Sequence, residues 1–123
     1  MFTAEDIADV FNDRITRIIG EATRVIDWLR DSNLNTNYND LSPRERAEYD
    51  LNHDSALQYS SMIYGVVRTI DSFRGKAAYK TQSSQFDETW LINAGYYKAL
   101  SFSASVHREF GKSYFSNIET EGL

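Results

Sequence analysis

Residues 3–30, TAEDIADVFNDRITRIIGEATRVIDWLR, decide the fold of this chain. Ile18, Ala22, Val25 and Leu29 step by 4, 3 and 4, and Ile7, Phe11 and Ile15 carry the same stripe toward the N-terminus. That spacing returns to one side of an α-helix every turn and suits a rod packed against other helices. With Val10, Ile19 and Ile26 included, the apolar face is wider than a two-per-heptad seam, as a helix with two neighbours requires. Thr3 stands as N-cap with Asp6 as its reciprocal partner, and Phe2 is placed to staple onto Ile7. Glu5, Asp6 and Asp9 sit where the helix dipole favours acids. Asp13 and Arg17 are spaced for a favourable i,i+4 pair on the polar side. Gly20 costs the helix about 1 kcal/mol relative to Ala, which suggests close contact with a neighbour.

Working outward, residues 32–41, SNLNTNYNDL, favour turns through their Asn and Asp side chains. Ser42, Pro43 and Glu45 then make a strong helix start, with N-cap, N1 and N3 all suited to their places. The pattern predicts a second helix from Pro43 to about Arg74, bent or broken in the polar stretch 52–61, with Gly75 as the residue after its end. Residues 75–86 read as a second loop. Ser84 or Asp87 caps a third helix running to about Phe110, with Gly111 ending it. Ala94, Gly95, Ala99, Ser103 and Ala104 make that helix rich in small residues that permit close approach, with Trp90, Leu91, Phe102 and Val106 as anchors.

The expected fold is therefore all-α: an antiparallel bundle of three to four long helices in one domain over residues 1–111, followed by a C-terminal tail, 112–123. A helix of about 28 residues is about 42 Å long at 1.5 Å per residue. That is long for so small a chain, and it predicts apolar surface left over for a homo-oligomer.

Composition narrows the class. At 123 residues the chain fits one domain. One Pro and six Gly argue against a turn-rich sandwich or barrel. The absence of Cys excludes a disulfide framework and thiolate metal sites. No apolar run reaches the ~20 residues of a membrane span, and the N-terminus lacks the pattern of a secretory signal. A cytoplasmic protein is expected, and the composition suits a small phage-type protein. Net charge is −5, and it is uneven. Residues 1–54 hold twelve acids and six Arg, while 55–123 hold six acids and seven Lys or Arg. This acidity argues against direct nucleic-acid binding, which depends on neutralising phosphates.

Few residues point to chemistry. Asp50, His53 and Asp54 share a helix face and resemble half of a carboxylate–histidine metal motif, but no second copy exists: Ala104 stands three before His107. A solvated helix face explains them as well, and neither a metal nor another cofactor is expected. His107 reads as a helix-end residue. No nucleophile elbow, Walker loop or dinucleotide fingerprint occurs. Arg74, Lys76, Tyr79 and Lys80 place three cations and one aromatic around the second loop, a group able to hold a phosphate and stack a base. Glu5, Asp6, Asp9 and Asp13 form an acidic surface, and Tyr96 and Tyr97, one facing in and the other out, are candidates for a contact surface. The leading expectation is a non-enzymatic protein–protein interaction module, such as a small acidic inhibitor or adaptor, using the helix 1 acids or the helix 3 tyrosines. The alternatives are a phosphate or nucleotide binder at Arg74–Lys80 and a metal-dependent enzyme at Asp50 and His53.

Overall fold

A computed structural model describes residues 3–33, 38–79 and 85–111, with only the backbone described at 32, 33, 78 and 79. The described residues form four helices and no strand: α1 (Ala4–Asn33), α2 (Pro43–Tyr79), α3 (Glu88–Ala94) and α4 (Tyr96–Val106). A 3₁₀ turn spans Tyr38–Asp40, and a π-helical turn, His107–Gly111, continues α4.

The helix starts form as their local chemistry dictates. Asp6 accepts from the Thr3 amide (3.0 Å) while the Thr3 hydroxyl accepts from the Asp6 amide (3.1 Å). Glu45 and Ser42 make the same reciprocal pair at 3.1 and 3.2 Å. Asp87 caps α3 by accepting from the Trp90 amide at 3.0 Å. Each motif satisfies amides that the first turn leaves without carbonyl partners. Phe2 lies outside the described residues.

Side-chain contacts fix the topology. Phe11 near the start of α1 meets Phe73 near the end of α2, so these two helices are antiparallel. The third rod runs alongside α1 in the same direction. At one end the Trp90 indole donates to the Ala4 carbonyl (2.8 Å), and at the other Arg30 forms a bidentate pair with Glu109 (2.8 Å for both bonds). Ser60 of α2 meets Ser103 of α4 midway. The result is an up–down–up bundle. One end of its core holds Ile15, Ile63, Ile70 and the edge-packed rings of Phe73, Phe86 and Trp90. The other end gathers Ala22, Ile26, Leu29, Ala56, Val106 and Phe110.

Four expectations need correction. First, α2 does not end at Arg74 but continues through Gly75 to Tyr79. Gly75 sits in ordinary helix on an exposed side, and burial of Ala77 favours the added turn. Second, α2 is unbroken across 52–61. Ala56 and Ser60, both fully buried, face α4, and the bond from the Ser60 hydroxyl to Ser103 lets a polar residue serve on the core side. Third, the third rod is two helices. Gly95 adopts φ +83°, closes α3 through its amide to the Ile92 carbonyl (3.0 Å) and starts α4. Fourth, α1 does not keep a broad uncovered side. Ile15, Ile18, Ala22, Ile26 and Leu29 are buried by α2, α3 and α4 of the same chain, which leaves Val10 as the large apolar residue of α1 most open to solvent. Gly20 likewise faces open space rather than a neighbour. The tail, 112–123, lies outside the described residues.

Candidate functional site

The half-motif on α2 is held by structural partners. The His53 ring Nε2 lies 3.0 Å from the Phe110 carbonyl, to which it donates. Its ring stacks on Tyr49 and meets Phe110 edge-on. Asp50 instead accepts from the Tyr38 hydroxyl at 3.0 Å, a bond that raises the Tyr38 pKa above its ordinary value. Among the described residues no group of three His, Cys, Asp or Glu stands together as a metal site would. The local sequence therefore ties the 3₁₀ turn and the π turn to α2.

Of the cationic group, Arg74 and Lys76 stand on a helix and not in a loop. Arg74 and Lys76 lie on α2, two positions and therefore about 200° apart around the helix. Arg74 is half-buried and donates through Nε to the Phe86 carbonyl at 3.0 Å, fastening the end of α2 to the start of the third rod. Lys76 is exposed. The Tyr79 side chain and Lys80 lie outside the described residues.

Tyr96 and Tyr97 divide as adjacent helical residues do. Tyr96 is half-buried against the core, and burial first, then a bond to Asp71, raises its pKa. Tyr97 is exposed and donates to Glu88 at 2.5 Å, and this bond is the main cause of its raised pKa. Glu5, Asp6, Asp9 and Asp13 are all exposed and occupy one side of α1.

The sequence reading missed a groove between α1 and α2, on the side away from the third rod. Its volume is about 230 Å³, with walls of Val10, Phe11 and Arg14 from α1 and Met62, Gly65, Val66 and Thr69 from α2. It continues past Met62 along Tyr59, Gln58 and Ser55, with Glu21 opposite. Val10 is 60% exposed, Met62 49% and, further along α2, Leu51 67%. The missed signal was a second helical stripe. Leu51, Ser55, Gln58, Met62, Gly65 and Thr69 step by 4, 3, 4, 3 and 4, and none carries a charge. A five-turn uncharged exposed stripe departs from the usual solvated helix face. A second groove, between α2 and α4, is lined by Tyr64, Leu100, Ser103, Ala104 and His107.

Comparison of the chain with known protein families, with curated proteins and with solved structures finds no match. No helix among the described residues is long and apolar enough to cross a membrane.

Proposed function

We propose that this chain is a non-enzymatic helical interaction protein that docks a protein partner over the α1/α2 face. The observation that carries the reading is that Val10 of α1 and Met62 of α2, each at least 49% exposed, line one groove, with exposed Leu51 further along the uncharged stripe of α2. Apolar side chains scattered singly over a surface need no explanation, whereas apolar side chains of two helices lining one groove are a usual form of docking site. Arg14 and Glu21 of α1 line the same groove and give it a charged edge. Two residues that would serve an enzyme or a phosphate site have structural partners: His53 bonds to Phe110 and Arg74 to Phe86. The reading needs no cofactor and fits a cytoplasmic inhibitor or adaptor.

Site-specific photo-crosslinking tests it. A benzophenone side chain at Gln58, which lines the groove, is expected to give a discrete protein adduct in extract of the source cells, another copy of the chain included. Val10→Asp should abolish that adduct, and the same probe at the exposed Arg108 should not give it. Equal adducts from both positions, or an adduct indifferent to Val10→Asp, would overturn the reading.

A further inference from the structure

We propose that residues 112–121 of this same chain return along the groove between α2 and α4 and close it, whatever docks on the α1/α2 face. The groove has a volume of about 280 Å³ and presents the Tyr64 ring, 50% exposed, beside Leu100, Ala104 and His107. Leu100, Ala104, His107 and Gly111 step by 4, 3 and 4, so they follow one side of α4 and its π turn. The described chain stops at Gly111, one turn past His107, and so at the mouth of this groove. The helices α2 and α4 run antiparallel, with His53 beside Phe110 and Ser60 beside Ser103. The groove therefore leads from the level of His53 past Tyr64 to Arg68, which stands one turn beyond Tyr64 on the same flank of α2. That path is about 22 Å at 1.5 Å per helical residue. After a reversal at Lys112 and Ser113, extended chain at about 3.3 Å per residue brings Ile118 beside Tyr64, and Glu119 and Glu121 to Arg68.

The chemistry of the segment is ordered to match. Over residues 112–121 the apolar side chains, Tyr114, Phe115 and Ile118, come first and the acids Glu119 and Glu121 follow. Alternate residues of an extended chain share a side, so Tyr114, Ser116 and Ile118 turn to the groove together while both acids turn to its rim. Arg68 at that rim is exposed and makes no ion pair or hydrogen bond with the described residues. Tethering supplies the segment at high effective concentration, so a contact of few side chains suffices. Closure here leaves the α1/α2 groove, on the other flank of α2, open to a partner.

Disulfide trapping tests the closure, because the chain has no Cys of its own to compete. Ala104→Cys lines the groove, and Ser105→Cys, the next residue, points about 100° away around α4. Each is combined with Ser116→Cys, so the two tethers are nearly equal in length. In dilute protein under mild oxidation the Ala104 pair should form its intramolecular disulfide at least about tenfold faster than the Ser105 pair, after correction for the reactivity of each thiol alone. Ile118→Asp should remove that preference, and Arg68→Glu should cut it at least about threefold. Arg68 is exposed and Ile118 lies beyond α4, and melting curves matching the parent pair confirm that the fold is intact. Equal rates for the two pairs overturn the closure, as does a preference that Ile118→Asp and Arg68→Glu both leave unchanged. Neither result bears on the Gln58 adduct, which reports the other groove.

Discussion

At the scale of single residues, two glycines that look alike in the sequence do opposite things. Gly95 takes φ +83°, and a Cβ there would sit 3.0 Å from Asn12 Oδ1 and 3.4 Å from Ile15 Cδ1. The left-handed conformation is costly for any residue with a Cβ, and the approach to α1 leaves little space. Gly95→Ala should therefore lower the unfolding free energy by about 1–2 kcal/mol in urea titrations. Gly75 lies in unstrained helix with nothing within 4 Å, so Gly75→Ala should raise it by about 0.5–1 kcal/mol. Equal effects of the two substitutions would show the contrast to be wrong. The sequence suggests the reverse assignment, Gly75 as the residue after a helix end and Gly95 inside a helix, whereas Gly75 is helical and Gly95 divides two helices. What decides is tertiary: Ala77 beyond Gly75 finds a buried place, while Gly95 must pass close to Asn12. The same limit applied to His53, whose role is fixed by a carbonyl far along the chain, at Phe110.

At the scale of elements, what was legible was whatever local hydrogen bonds determine. The three caps at Thr3, Ser42 and Asp87 each act across three residues, so their partners are visible in a short window. The core stripe of α1 was legible for a similar reason, since helical period alone assigns Ile15, Ile18, Ala22 and Leu29 to one side. The continuity of α2 was not, because Ser60 reads as polar until Ser103 is opposite it. The two hydroxyls lie 3.0 Å apart in a fully enclosed contact, and each also reaches the other residue's carbonyl, at 3.3 and 3.4 Å. Removing one hydroxyl leaves the other with a poorer partner, whereas removing both leaves two compatible small side chains. Ser60→Ala and Ser103→Ala should each cost about 1 kcal/mol, and the double variant should cost less than their sum by about 0.5–1 kcal/mol. A double-mutant cycle in urea measures this, and strict additivity would mean that the pair acts as two unrelated serines.

At the scale of the whole molecule, the bundle is closed at its two ends by different chemistry. One end is apolar, with Phe11, Phe73, Phe86 and Trp90 packed edge to face or stacked and the Trp90 indole bonded to Ala4. The other is joined by the Arg30–Glu109 ion pair, with Asp27 3.9 Å from the Arg30 guanidinium. The candidate docking face lies between these ends and belongs to neither helix alone. Val10 and Met62 are ordinary surface positions until α1 and α2 lie side by side, which is why no motif marked the face. The ion pair makes the closure at its end dependent on pH. The bidentate bond from Arg30 holds the Glu109 carboxyl below its ordinary value, and the same bond raises the Arg30 pKa, so the guanidinium stays charged throughout. Because the carboxylate pKa is lower folded than unfolded, the pair's contribution is complete above the unfolded value of about 4.3 and is lost as pH falls through the folded one. The two side chains retain 51% and 36% exposure, so solvent screening limits the contribution to under about 1 kcal/mol. Glu109→Gln should thus be less stable than wild type at neutral pH and indistinguishable from it once Glu109 of the wild type is protonated. Paired urea titrations at neutral and acidic pH measure the difference; a deficit that persists unchanged in acid would mean that Glu109 acts through packing and not through its charge.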